Sequence, residues 1–307
     1  MNSKKIILKN PLNTAVLFLV FNRPDTTNKV FEKIRQVKPL KLYIAGDGAR
    51  EGNEDDKEKI KKVREIISNI DWYCEVKTLF RDKNLGCKNA VSQAITWFFK
   101  NEEQGIVLED DCLPSESFFY FCEYALEKFK KNPNIFGVGG TNLIGSTDNK
   151  NYILSLHGTI WGWATWANRW KHYKVDIEDD ITDLISTNYP TCLSEKINFE
   201  IILNESKNKN LDTWDYQWLV TRIKNNGLTV MPPANLIKNI GFGHKSATHT
   251  KNSNKKIEIE NNNIDISFEE IRIKRNLEYD KKLWKYRTPF LSRVKLIFNY
   301  ILKKIFN

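Results

Sequence analysis

No stretch of this 307-residue chain approaches the apolar length needed to span a bilayer. The start, MNSKKIILKN, is basic. The apolar TAVLFLVF after it lies beyond Pro11, ends at Asn22-Arg23-Pro24 and lacks a small-residue cleavage site, so it reads as a strand and not a leader. The five cysteines are scattered with no CxxC pair, which argues against a zinc ribbon or a disulfide framework and suits reduced thiols in the cytoplasm. There is no GxxxxGKS or GxxxxGKT loop, and no GxGxxG follows the first strand; Gly137-Val138-Gly139-Gly140 comes too late. Phosphate cradling by either familiar glycine loop is therefore not expected. No internal repeat is present. After Asp280 there is no acidic residue at all, while eight Lys or Arg follow. The net charge of +10 thus belongs largely to a tail, which points to an anionic membrane surface and away from nucleic acid.

The chain does have enough apolar sequence, 41% with nine Trp, for a sizeable core. Its first 140 residues alternate between buried-strand and helix patterns. Strands are expected at 14–21, 41–47, 74–80 and 105–111, and helices from Asp25 (an N-cap by type) to about Val37, over 54–70, over 88–99 and over 115–131. This alternation predicts an α/β fold, a mostly parallel, Rossmann-like sheet flanked by helices. Ligands then sit beyond the carboxyl ends of the strands.

Those ends collect charge. Strand one delivers Arg23, strand two Asp47, strand three Arg81, and strand four the run Glu109-Asp110-Asp111. Adjacent carboxylates repel, so three in a row need something positive to hold. Mg²⁺ or Mn²⁺ takes one or two carboxylates while nucleotide phosphates fill its other positions. A helix N-terminus decorated with acids is the plainer alternative, and it accounts for one acid better than for three.

Beyond residue 140 the pattern is less regular. HGTIWGWATWANRW (157–170) holds four Trp, LDTWDYQWLVTRIKNNG (211–227) begins with acids and becomes a helix, and GFGHKSATHT carries His244 and His249. A further helix is expected near 194–207, and 251–263 reads as a mobile linker. FLSRVKLIFNYILKKIFN (290–307) spaces Leu291, Val294, Phe298, Ile301 and Ile305 as an amphipathic helix would, although Leu296 and Tyr300 fall on its other side. The expected organisation is a nucleotide-binding half (1–140), an acceptor half of the same domain (141–250) and a linker with a basic tail (251–307).

The order VFNRP, GDG, RDKNLGCKNA and VLEDDCLPSESFFYF resembles glycosyltransferases of the GT-A fold and family 2 type. It is more similar still to the N-acetylglucosaminyltransferase family that starts complex N-glycans, through Glu-Asp-Asp, the following Pro-x-x-Phe-Phe pattern, WGWATW and TWDYQW. The resemblance covers roughly residues 14–250 and implies a metal-dependent, inverting transferase using a nucleotide-diphosphate sugar, expected to be a UDP-sugar. The acceptor would be a glycan or lipid-linked, in bacterial surface polysaccharide synthesis. It implies Arg23 near the donor phosphates, Asp47 on the base or ribose, Glu109 and Asp110 on donor ribose and sugar, Asp111 on Mn²⁺ or Mg²⁺, and Gly162 and Trp163 at the donor-sugar floor. Arg81 and Lys88 join the donor side, and His249 is the candidate to complete the metal or phosphate site. Asp215 is the implied general base. The spacing between Trp214 and Trp218 is one residue longer than the family pattern, which leaves Asp212 as a rival. Two other classes stay in view: a sugar nucleotidyltransferase, which usually carries a basic glycine-rich loop where this chain has NRPDTT, and a non-enzymatic basic membrane- or nucleic-acid-binding module. A cytoplasmic enzyme peripheral to the inner face of the membrane is the expected location.

Overall fold

The computed structural model describes residues 11–145, 151–178, 180–187, 189–207, 211–242, 263–264 and 268–306. The elements follow the chain as β1 (Val16–Val20), α1 (Pro24–Val37), β2 (Lys41–Gly46), α2 (Glu54–Ile67), β3 (Glu75–Phe80), α3 (Gly86–Phe99), β4 (Gln104–Glu109), β5 (Cys112–Pro114), α4 (Glu116–Phe129) and β6 (Ile135–Gly139). Then come β7 (Ile153–Ser155), β8 (Trp163–Trp166), α5 (Ala167–Trp170), α6 (Ile181–Ile185), α7 (Leu193–Lys207), α8 (Asp215–Lys224), β9 (Leu228–Met231), β10 (Ile237–Asn239), α9 (Leu277–Arg287) and α10 (Phe290–Phe306).

Eight strands form one sheet in the order β3-β2-β1-β4-β8-β6-β9-β7, and β5 pairs with β10 beside it. The pairs β3-β2, β2-β1, β1-β4 and β6-β9 are parallel, as the alternation predicts. β8 runs antiparallel between β4 and β6, with Val107 opposite Trp163 and Val138 opposite Ala164. WATW is thus a strand buried in mid-sheet. Strands from before and after residue 140 share this one sheet.

The period-two pattern of β1 divides the core. Phe18 faces one side with Leu42, Ile44, Leu108 and the aromatic face of α4, while Leu17 and Leu19 face the other with Tyr43, Val107, Phe98 and the Trp163, Trp214 and Trp218 rings. α1 starts one residue before the expected N-cap: Pro24 occupies the first turn and Arg23 takes the cap position, so Asp25 lies in the helix. β4 ends at Glu109, two residues short of the expectation, because Asp110 and Asp111 already turn toward β5.

Of the expected linker, 251–262 lie outside the described residues. The segment beyond it is packed: Ser117 and Ile264 exchange hydrogen bonds, and the Phe268 ring lies against Phe121, Tyr124 and Tyr152. α9 buries Tyr279, Leu283 and Trp284. α10 lies along α7, with the Tyr300 hydroxyl donating to Glu200 at 2.8 Å. Among the described residues no helix is long and apolar enough to cross a membrane.

Candidate nucleotide site at the carboxyl edge of the sheet

Strand register sets the site. Leu19 sits opposite Glu109, Val20 opposite Gly46, and Gly46 opposite Phe80, so all four strands stop at one level. The residues just beyond them therefore meet. A cavity of about 200 Å³ opens there, with Arg23, Asp47, Arg81, Glu109 and Asp110 among its walls. Its floor is apolar, formed by Leu19 and Ala45 of the sheet and Ala90, Val91 and Ala94 of α3. Small side chains on that helix face leave room for a flat ring.

Arg23 is the positive charge that the acids require. Its Nη1 lies 2.6 Å from Asp111 Oδ2 and 3.5 Å from Asp110 Oδ1. Asp110 also accepts the Phe21 N–H at 3.0 Å. Burial works to lower the Arg23 pKa, but Asp110 and Asp111 outweigh it and hold the guanidinium more firmly charged. One cation does not neutralise three acids. Burial pushes the Glu109 carboxyl up, and Asp111 and Asp110 push it further. Burial also raises Asp110, against the pull of Arg23. Glu109 Oε1 is buried and has no hydrogen-bond partner among the described residues. The cluster therefore has room for more positive charge.

Asp47 holds a loop. It accepts the N–H groups of Gly48, Leu85 and Gly86 at 3.0–3.2 Å, and burial nonetheless raises its pKa. Gly86 has φ +76, a left-handed turn that opens α3. Arg81 projects from the end of β3 into the cleft wall. Arg50, a wall residue, escaped the sequence reading, and Asn84 of the loop after Arg81 joins the wall as well. Arg50 pairs with the buried Asp56 at 2.6 Å, and Asn22 donates to the same carboxylate at 2.6 Å. The available signal was position: Arg50 lies three residues beyond Asp47, on the same strand-end loop.

Other expected site residues are placed elsewhere. Lys88 Nζ bonds Asp176 at 2.7 Å. Gly162 has φ +60, and a Cβ there would meet Ile237 and Phe118, so it serves close packing of β10 on α4. Trp163 is 2% exposed and stacks on Trp214 at 5.6 Å, inside the core. His249 lies outside the described residues. The rivals Asp212 and Asp215 separate clearly. Asp212 lines the cleft, but its two oxygens accept the Cys87 and Lys88 N–H groups, each at 2.9 Å. It caps α3, whose own N-cap residue makes no side-chain bond. Asp215 begins α8, accepts from the Thr213 hydroxyl, and lines a different cavity.

Among the described residues no three His, Cys, Asp or Glu side chains converge as a ready-made metal cage. Mg²⁺ or Mn²⁺ bound with a nucleotide needs only one or two protein carboxylates. The surplus of carboxyl groups over cations and the unpartnered Glu109 oxygen fit such an ion.

No protein-family model and no curated protein matches the chain. Among solved structures it is similar to a UDP-glucose pyrophosphorylase complexed with UDP-glucose: 11% identity, TM-score 0.39, covering 75% of this chain and 94% of that one. It is likewise similar to the inositol-1-phosphate CTP transferase of T. maritima: 10% identity, TM-score 0.38, covering 73% and 86%. These neighbours are nucleotidyltransferases and not the glycosyltransferases that the sequence resemblance led us to expect. The glycosyltransferase expectation is corrected accordingly. Likenesses at this level carry no substrate or activity over to this chain.

Proposed function

We propose that the carboxyl-edge cleft binds a nucleotide with a divalent cation, and that the protein is an enzyme of nucleotide-sugar chemistry of the nucleotidyltransferase type. The observation that supports this is the Arg23–Asp110–Asp111 cluster with surplus acid, set beside an apolar floor and the cations Arg50 and Arg81. The floor takes the base. The arginines take phosphate oxygens as charge-assisted donors. Glu109, Asp110 and Asp111 are the candidate ligands of the cation, which when bound supplies Lewis-acid stabilisation of the departing phosphate. In the transfer, an oxygen of a sugar phosphate forms a bond to the nucleotide α-phosphorus, the α–β anhydride bond breaks, and pyrophosphate leaves. Arg23 serves here in place of a basic glycine-rich loop, since it comes directly from the strand-one turn.

The C-terminal helix adds a location. Phe290, Leu291, Val294, Phe298 and Ile301 are 48–78% exposed and fall in an arc of about 100° at 3.6 residues per turn. Leu296, Ile297 and Tyr300 lie outside that arc and are less exposed. Every charged residue beyond Asp280 is basic. Such a strip suits an anionic bilayer surface, whereas a second copy would bring two acid-free cationic tails together.

The test is to incubate the protein with each nucleoside triphosphate, Mg²⁺ or Mn²⁺ and a panel of sugar 1-phosphates, and to follow pyrophosphate release. Metal-dependent formation of one nucleotide-sugar, lost in Asp111→Asn, is expected. Absence of nucleotide binding with either metal overturns the reading.

A further inference from the structure

A second cavity, of about 210 Å³, opens on the other side of the Trp214–Asp215 turn, between the 157–161 segment, α8 and the end of α9. Arg222 and Arg287 line it, together with Asp215 and the rings of Trp161 and Tyr216. Arg222 is 3% exposed, a depth at which a guanidinium normally has a carboxylate partner. Here it has none among the described residues. Its Nη1 donates to the Leu156 carbonyl at 3.0 Å and the Thr229 hydroxyl at 2.9 Å, and its Nη2 to the Gly158 carbonyl at 3.3 Å. These acceptors are neutral, Asp280 favours the charge only from a distance, and Nε makes no hydrogen bond among the described residues. Arg287 is exposed and adds a second charge at the same cavity.

The nearby carboxylates do not cancel this field. Asp280 is taken by Arg275 at 2.5 Å. Glu195 is buried, which pushes its pKa up, and it is engaged by the Thr191 N–H and hydroxyl. His157, in the cavity wall, has its Nε2 3.2 Å from Glu195 Oε1, and burial, then Arg287, Arg275 and Arg222, drive it well below its ordinary pKa. Asp215 alone, among the described residues lining the cavity, opposes the two arginines.

We infer that this cavity is a binding site for the phosphate group of a phosphorylated sugar. Arg287 supplies charge-assisted donors to the phosphate oxygens, and Arg222, whose Nη1 hydrogens are engaged, adds its charge and its remaining Nη2 hydrogen. Trp161 and Tyr216 offer ring faces to the sugar, and the Asp215 carboxylate accepts from a hydroxyl. The inference deepens the proposed function, by giving the second substrate a place, and rests on that reading for its biological sense. The ligand has two sources. One is a soluble sugar phosphate. The other is a sugar carried on a lipid phosphate, because Arg287 stands three residues before Phe290 and the exposed strip of α10.

The experiment is a tryptophan-fluorescence titration of the full-length protein with glucose 1-phosphate, N-acetylglucosamine 1-phosphate and mannose 1-phosphate, each against the unphosphorylated sugar. A parallel arm uses isoprenyl phosphate in phosphatidylcholine vesicles. Saturable binding of at least one phosphorylated ligand is expected, with no response to the bare sugars. Arg287→Gln, an exposed position that leaves the core intact, should weaken binding about tenfold or more, while Asp111→Asn in the nucleotide cleft should not. A soluble source is shown by response to the free sugar phosphates, a lipid source by response confined to the vesicle arm. Equal binding by wild type and Arg287→Gln, or no phosphate selectivity in either arm, overturns the inference. Nucleotide binding measured on the same samples separates the two claims. Nucleotide binding without phosphate binding sinks the cavity alone, and phosphate binding without nucleotide binding sinks the proposed function alone.

Discussion

Arg23 Nη1 lies 2.6 Å from Asp111 Oδ2, joining the turn after β1 to the turn after β4. This contact spans 88 residues of sequence and gives two of the three consecutive acids at the strand end, Asp110 and Asp111, a shared cation. It requires both parallel strands to stop at the same level. Replacing Arg23 leaves Asp110 and Asp111 without their cation. Arg23→Ala should cost ~2 kcal/mol of stability in urea unfolding, the range of a hydrogen bond to a charged group, and should weaken nucleotide binding about 100-fold. Arg23→Lys should recover part of both, since a point charge cannot reproduce the guanidinium fork.

Glu109 and Asp110 make stability depend on pH. Both carboxyls are raised in the folded state, by burial first. Between the ordinary carboxylate value of about 4 and those raised values, the folded protein keeps protons that the unfolded chain has released. Stability should therefore fall as pH rises through this window, when no divalent ion is added. Glu109→Gln should flatten the slope. Mn²⁺ should raise Tm more near pH 8 than near pH 5.5, because binding requires the carboxylates deprotonated (roughly the linkage expected of any carboxylate site). Thermal melts across pH with and without metal check each part, and an Mn²⁺ effect independent of pH would contradict it.

Asp212 and Asp215 should behave as different kinds of residue. Asp212 caps α3 through the Cys87 and Lys88 N–H groups. Asp212→Ala should cost ~1 kcal/mol, as loss of a helix cap does. Asp215→Asn should stay within ~0.5 kcal/mol of wild type, since its side chain bonds the neighbouring Thr213 and faces a cavity. Chemical denaturation of the two variants decides this.

The strip on α10 should bind vesicles. Cosedimentation with vesicles containing phosphatidylserine should be strong at low salt, weaker at high salt, and absent with neutral lipid. Leu291→Glu with Phe298→Glu should abolish it without loss of folding, because both side chains are already in solvent. Binding unchanged in that double variant would refute the membrane role of the strip.

Much of the first half was legible in the sequence. Apolar runs such as TAVLFLVF and GIVLEDD, bounded by turn residues, located β1 to β4 to within a few positions, because strand period and turn chemistry are local properties. Their strand-to-helix alternation implied parallel pairing, and parallel pairing placed Arg23, Asp47, Arg81 and Glu109 on one edge. The Trp-rich segment was less readable. Aromatic residues suit a sugar pocket and a core equally well, and Trp163 went to the core because β8 enters the sheet between β4 and β6. The glycosyltransferase resemblance rested on short motifs at this edge and on WGWATW and TWDYQW, and of these WATW became a mid-sheet strand.

By itself the sequence determined an α/β chain with acids at its fourth strand end and an acid-free basic tail, since each of these is written in adjacent residues. Only the tertiary structure decided what met those residues. It gave Asp212 to the N-terminus of α3, far away in the chain, and so separated it from Asp215. It buried Arg222 with no carboxylate contact among the described residues, and it laid α10 along α7 with Phe290, Leu291, Val294, Phe298 and Ile301 left in solvent. Such pairings depend on which surfaces remain after the sheet has closed, and no local pattern of side chains contains that information.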